Sequence, residues 1–233
     1  MTERVVITGA NRGLGLELTR IYAGRGDDVW AGCRRPDDAT ELRRLTTHVE
    51  QVDIGSEASI AQFAAALGSA PIDILVNNAG IDARALGVDD GERDVLQLSG
   101  EHFLDVMRVN AVGPMLLTRA VLDRLSASSN PRIVNVTSQV GSMEVAHSIG
   151  RDIGYLSSKA ALNMISIKQS VVLRDAGIIV LALHPGYLQT DMGGPRAEMP
   201  TEEGATGIVA LVDSLTSDDS GTFRRWDGSV HPW

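Results

Sequence analysis

The chain has 233 residues, 43% of them hydrophobic and 22% charged, and a net charge of −9 at pH 7, proportions usual for a globular enzyme. Thirty acidic against 21 basic residues and 4% aromatics speak against a nucleic-acid binder, which would show a basic face and stacking aromatics. Cys33 is the only cysteine, so no internal disulfide forms; no apolar stretch approaches the roughly 20 residues that cross a bilayer, and no signal-peptide pattern opens the chain. A cytoplasmic protein that engages neither nucleic acid nor membrane is expected.

Strand-like and helix-like segments alternate from end to end. An apolar run at 5–7 breaks at Thr8-Gly9, and helical periodicity follows over 13–23. Strands are predicted at 28–33 and 48–52, then a helix over 56–67 with Ser56 as its N-cap. A fourth strand at 72–76 leads to one long helix over 99–125. A fifth strand at 132–136, a helix over 155–174 and a sixth strand at 178–183 come next. A helix over 201–215 with Thr201 as N-cap, a short strand at 222–226 and an Asp227-Gly228 turn end the chain. This alternation predicts an α/β fold, a single Rossmann-type doubly wound parallel sheet with helices on both faces. No linker or repeat interrupts it, so residues 1–233 read as one dinucleotide-binding domain. The least periodic stretches, 82–100 and 141–154, both follow strand ends, where such sheets place their binding crevice.

Thr8-Gly9-Ala10-Asn11-Arg12-Gly13-Leu14-Gly15 stands at the first strand-to-helix junction. Glycines there let the backbone turn sharply and approach a pyrophosphate at the helix N-terminus. The spacing is G-x-x-x-G-x-G, and a plain strand-to-helix turn is its simpler reading. The end of the second strand discriminates between cofactors. A binder of the unphosphorylated dinucleotide places an acid there for the ribose hydroxyls. This chain has Ala31-Gly32-Cys33-Arg34-Arg35 instead, with no acid until Asp37. Arg34 can hold a 2′-phosphate, Arg12 is a second candidate, and each charge-assisted contact contributes about 1.5–3 kcal/mol. NADP(H) is therefore favoured over NAD(H). Arg35, before Pro36, is expected to point into water.

Gly154-Tyr155-Leu156-Ser157-Ser158-Lys159 sets a phenol and an ammonium on one face of a helix. A free tyrosine, with a pKa of about 10, is a poor proton donor or acceptor at neutral pH. A cation roughly 5 Å away, at an effective dielectric near 20, stabilises the phenolate by about 3 kcal/mol, or about two pKa units. The pair thus predicts a phenol lowered into catalytic range; a solvated helix face is the plainer alternative.

Four more segments accompany the pair: Asn77-Asn78-Ala79-Gly80, Val109-Asn110-Ala111-Val112-Gly113-Pro114, Val134-Asn135-Val136-Thr137-Ser138 and Pro185-Gly186-Tyr187-Leu188-Gln189-Thr190. With the glycine loop they resemble, in order and over nearly the whole chain, the motifs of the short-chain dehydrogenase/reductase family. Tyr155 to Asn163, His184 to Gly194 and the ending Pro232-Trp233 are similar to the subgroup of C-factor proteins and carbonyl reductases. The resemblance implies an oxidoreductase that moves a hydride between NADP(H) and a small-molecule carbonyl or secondary alcohol. It implies Tyr155 as proton donor to the carbonyl oxygen, Lys159 as the group that lowers its pKa and bonds the nicotinamide ribose, Ser138 as the holder of the substrate oxygen, and Asn110 as support for a water relay to the lysine. For the cofactor it implies Gly9, Asn11, Arg12, Gly13, Leu14, Gly15 and Arg34. Asp53, near the adenine, and Ile54 would follow; so would Asn78, Ala79 and Gly80, then Pro185, Gly186, Leu188 and Thr190, the last at the carboxamide. Such roles suit the chemistry, since an oxyanion developing during hydride transfer needs one donor to orient it and another to protonate it.

Plainer roles compete: Asp53 as a helix-start residue, Ser138 as a strand cap, Asn110 as a buried helix polar group, Thr190 as a loop brace. Ser138 and Tyr155 lie 17 residues apart, longer than the family's common spacing, which leaves extra material in 141–154. The acidic stretch 82–100 either borders the pocket or is solvated. No His, Cys and acid cluster has metal-ligand spacing, and His184 and His147 are not expected to be catalytic. The rival class is a C-factor-like signalling or regulatory dinucleotide-binding protein with little turnover; an intact Ser138, Tyr155 and Lys159 count against it. A homo-oligomer formed through the helices at 99–125 and 155–174 is expected, although core packing alone would also explain their apolar residues.

Overall fold

Alternate side chains of each strand divide between two apolar layers, which is why the strands read as unbroken hydrophobic runs. The computed structural model describes residues 2–194 and 196–233, so Met1 and Pro195 lie outside the described residues. Its strands are β1 (Arg4–Thr8), β2 (Asp28–Cys33), β3 (His48–Gln51), β4 (Ile74–Asn77), β5 (Arg132–Val136), β6 (Ile179–His184) and β7 (Thr222–Arg225). They form one sheet in the order β3-β2-β1-β4-β5-β6-β7, with every neighbouring pair parallel. In register, Ile7, Val76, Val134 and Leu181 form a row that faces one layer, and Val6, Leu75, Ile133 and Val180 a row that faces the other. Each such fully buried side chain contributes about 1.5–3 kcal/mol.

The helices are α1 (Gly13–Gly24), α2 (Leu42–Leu45), α3 (Glu57–Ala66), α4 (Gly100–Met107), α5 (Gly113–Ala120), α6 (Leu122–Ser126), α7 (Met143–Ala146), α8 (Ile153–Val172) and α9 (Thr201–Ser214). Leu18 and Tyr22 of α1, Leu42 of α2, and Ile208 and Val212 of α9 fill the first layer. Ile60 and Phe63 of α3, Leu117 of α5 and Leu125 of α6 fill the second. Asn135 joins α8 to that face by donating to Ser166 Oγ and Gln169 Oε1, both at 2.9 Å.

Three sequence expectations need correction. The helix expected over 99–125 is three helices, with a π-helical turn over Arg108–Val112 between α4 and α5. Pro114 has no N–H for the Asn110 carbonyl, and its ring would crowd that carbonyl in a regular α-helix; a wider turn relieves the clash. Thr201 opens α9 from inside the helix, after Pro200, and its hydroxyl donates to Gln189 O at 2.8 Å instead of capping. The fourth strand starts at Ile74, because Ile72 N is bonded to Arg124 O. Ser56 caps α3 as expected, accepting from Ser59 N. Among the described residues no helix is long and apolar enough to cross a membrane.

Candidate active site

The chain leaves β1 toward β2 on one side and pairs it with β4 on the other. At such a switch point the loops diverge and leave a crevice at the carboxyl ends of the strands. A cleft of about 1740 Å³ opens there, room for a dinucleotide and a substrate beside it.

Its floor is the glycine loop. Gly9 and Gly13 have φ of +65° and +53°, the left-handed region that glycine enters without strain. A Cβ on Gly9 would stand 2.9 Å from Ala79 Cα, and one on Gly15 2.3 Å from Gly9 O. The loop is stitched to the end of β4: Asn78 Nδ2 donates to Thr8 O at 2.9 Å and to Gly9 O at 3.3 Å. Thr8 Oγ1 accepts from the backbone N–H groups of Asn78 and Ala79, both at 3.1 Å. Sequence reasoning missed Thr8, whose partners become visible only once β1 pairs with β4. Asn78 spends its side chain on this stitching.

Gly9, Asn11, Arg12, Gly13, Leu14, Asn78, Ala79 and Gly80 line the cleft, whereas Gly15 lies beneath the loop and does not. Arg34, Asp53 and Ile54 border its far end. Arg34 is exposed and has no ion pair among the described residues. Arg35 borders the same space instead of pointing only into water, and Asp38 stands there too. Arg12 is engaged: its guanidinium pairs with Asp191 across the cleft mouth. Asp53 Oδ1 accepts from Gly55 N at 2.9 Å and its own N–H donates to Ser59 Oγ at 2.9 Å, so it organises the start of α3 while its carboxylate borders the cleft. Pro185, Gly186, Leu188 and Thr190 also line the cleft, with Thr190 beside the glycine loop: a Cβ on Gly13 would lie 3.1 Å from its Cγ2. Thr190 Oγ1 accepts from Gly193 N at 3.1 Å and so braces its own loop.

The remaining candidates converge at the carboxyl end of β5. Ser138 follows that strand and accepts from Val140 N at 3.4 Å. Tyr155 and Lys159 project from α8, with the ammonium 5.5 Å from the phenol ring centroid. Lys159 is buried and donates to Val136 O at 2.8 Å. Asn110 lies in the π-helical turn, behind the cleft wall and not in it. Its Oδ1 accepts from Ile81 N at 2.8 Å, and its Nδ2 donates to Ile81 O at 2.7 Å and Ser158 Oγ at 2.9 Å. It therefore clamps the segment after Gly80 to α8. A Cβ on Gly80 would lie 3.3 Å from Asn110 Oδ1 and 3.6 Å from Lys159 Nζ.

The electrostatics correct the sequence reading. Burial pushes the Tyr155 phenol up to about 12; the nearby Ser138 hydroxyl pulls it down, Asp82 pushes it up and Arg84 pulls it down. Burial also takes Lys159 down to about 8. The expected lowering of the phenol by the lysine is not present. The ammonium is turned to the Val136 carbonyl, and removing a phenolate from water outweighs the attraction. His184, buried beside the Pro185-Gly186 turn, is held down to about 4 by burial and by His231, and so is neutral.

Glycines that a Cβ would fill, an uncommitted arginine at the far end and a cleft of this size together fit a dinucleotide. A phenol, a serine hydroxyl and a buried amine line the same cleft. Comparison with known proteins agrees. The chain belongs to the short-chain dehydrogenase family: the model described as short chain dehydrogenase matches residues 3–201. It is an oxidoreductase of the kind that includes C-signal and the carbonyl reductases. C-signal of Myxococcus xanthus is 36% identical over 174 residues, 73% of this chain and 98% of that protein. The 1-hydroxy-2-glutathionyl-2-methyl-3-butene dehydrogenase of Rhodococcus sp. is 30% identical, covering 98% of this chain and 99% of its own. The structure of NADPH-bound carbonyl reductase from chicken fatty liver superposes with a TM-score of 0.89 at 31% identity, covering 100% of this chain and 99% of that one.

Proposed function

We propose that the protein is an NADP(H)-dependent carbonyl reductase in which Ser138, Tyr155 and Lys159 handle the substrate oxygen and its proton. One observation carries this reading: the Ser138 hydroxyl and the Tyr155 phenol share a cleft with the buried Lys159 and with Arg34. The bound cofactor supplies the hydride in reduction and accepts it in the reverse direction. Ser138 orients the carbonyl oxygen, and Tyr155 gives it a proton as negative charge develops there. Lys159, held by Val136 O, keeps its ammonium 5.5 Å from the phenol ring, within reach of the cofactor ribose. Asn110 acts as a positioning residue that holds the 81 segment and α8 in register. Arg34 supplies a partner for a 2′-phosphate, and no acid stands at residues 34–36 directly after β2, Asp38 being the first acid that borders the same space. The NADPH-bound state of the chicken carbonyl reductase supports the same choice.

The whole chain is read as a single catalytic domain. Leu104, Met115, Met164 and Val171, exposed on α4, α5 and α8, support self-association through those helices. Likeness to C-signal brings a signalling role into consideration, but the complete proton-transfer set favours turnover. The experiment follows nicotinamide absorbance with NADPH and NADH over a panel of carbonyl compounds, in the wild type and in Tyr155→Phe. Oxidation of NADPH by the wild type, lost in the variant while NADPH still binds, supports the enzymatic reading. A wild type that oxidises NADPH with no carbonyl defeats it.

A further inference from the structure

The two irregular stretches, 82–100 and 141–154, meet beside Tyr155 and are locked together by charge. Arg93 is the lock. Its side chain is only 6% exposed, and it pairs with Asp152 at 2.7 Å and with Asp90 at 2.6 Å. Its backbone carbonyl accepts from Ile153 N at 3.0 Å. Asp152 is the one described non-glycine residue with positive φ, at +60°, a conformation that persists only where its surroundings impose it. Burying an arginine and holding an aspartate there both cost free energy. Together they fix the turn that carries Arg151 at the cleft.

Arg84 comes from the facing loop. It donates to Asp82 Oδ2 through Nε at 2.9 Å and to Met192 O through Nη2 at 2.8 Å, while its Nη1 has no partner among the described residues. The fields of Asp82 and Arg84 both reach the phenol of Tyr155, so this wall stands at the reacting end of the cleft. Three arginines, Arg84, Arg93 and Arg151, stand against three carboxylates, Asp82, Asp90 and Asp152. They balance in number but not in commitment: Arg93 is held by both Asp90 and Asp152, whereas the Arg151 side chain is 62% exposed and its contact with Asp152 is loose, at 3.5 Å. The cleft as a whole is lined by nine basic side chains against seven acidic ones in a chain of net charge −9.

We infer that this wall selects carbonyl or alcohol substrates that carry a carboxylate, with Arg151 and Arg84 receiving the anion and Arg93 positioning Arg151. The inference rests on the carbonyl-reductase reading and adds its substrate class. A guanidinium matches a carboxylate by paired charge-assisted hydrogen bonds, and losing one such contact corresponds to about ten- to hundred-fold in affinity.

The test uses short oxo acids of increasing chain length, each paired with its methyl ester, and NADPH. The wild type is expected to favour at least one acid over its ester by about tenfold or more in kcat/KM. Arg151→Gln is expected to collapse that acid-to-ester ratio, mainly through the KM of the acid. Arg93→Gln is expected to collapse the same ratio, a selective change that general destabilisation would not produce. Arg151 is exposed, so its variant is expected to melt with the wild type. Wild-type reduction of every ester as efficiently as its acid overturns the inference and leaves the carbonyl-reductase reading intact. So does an unchanged ratio in Arg151→Gln. NADPH oxidation with neither series, nor with any neutral carbonyl, overturns both.

Discussion

The glycine loop and the charged wall line one cleft and are built by opposite means. The loop is made from backbone, held by Thr8 and Asn78 through short neutral hydrogen bonds, with almost no space for added atoms. The wall is made from long charged side chains: Arg84 and Arg151 contact carboxylates of their own loops, Asp82 and Asp152, and Arg93 reaches Asp152 on the neighbouring one. A backbone cradle suits a ligand that never changes. Long side chains on loops suit a ligand that differs from one relative to the next, because exchanging them leaves the sheet untouched. Tyr155 and Lys159, the pair proposed to be catalytic, line the same cleft from α8.

The largest effect tests that shared centre. Tyr155→Phe is expected to lower kcat by about 10³-fold or more, with NADPH affinity little changed in fluorescence titration. Comparable loss of binding would place Tyr155 in the cradle instead. Next comes the pH dependence of stability. Lys159 has a folded-state pKa of about 8 against 10.5 in its ordinary state, so between those values the unfolded chain binds more protons. Stability from this group therefore rises with pH across that window and is lost as pH falls through 8, by an amount on the order of 3 kcal/mol. Tyr155, raised to about 12, acts with the opposite sign: its contribution is complete below about pH 10 and is lost as pH approaches 12. Lys159→Met is expected to remove the rise between pH 8 and 10 in denaturant titrations; an unchanged slope would show that the lysine is not desolvated.

Two variants probe the cradle. Arg34→Ala is expected to weaken NADPH binding by about ten- to hundred-fold and NADH far less, as calorimetry would read. Equal weakening of both would remove the phosphate from the argument. Gly15→Ala is expected to cost about 1–3 kcal/mol, seen as a fall of several degrees in Tm, because its Cβ would strike Gly9 O. A tolerated alanine would show that the cradle can yield as the wall can. The smallest effect belongs to Asp191→Asn, which frees Arg12 from an exposed ion pair worth less than about 1 kcal/mol. NADPH affinity is expected to rise a few-fold at low salt and to converge with the wild type at high salt.

Much of this architecture was legible because it needs particular residue types in particular places. Apolar runs bounded by charge or glycine located β2 and β5 to the residue, and Gly9, Gly13 and Gly15 marked the loop because a side chain there has nowhere to go. Gly113-Pro114 stood in the sequence, yet the break it forces in the expected long helix was missed, since periodicity continues on both sides of it. The direction of the tyrosine shift was also misread. Spacing gives the distance between two groups on a helix but not the solvent either one has lost.

Sequence by itself determined the strand order's raw material, the family and the glycine loop, and it supplied the residues proposed for proton transfer, because each is written in short-range pattern. Tertiary structure decided which charges face one another. Arg12 finds Asp191, 179 residues away, Arg84 finds Met192, and Arg93 holds Asp152. Such pairings depend on where loops from distant strands come together, and no local pattern carries that information.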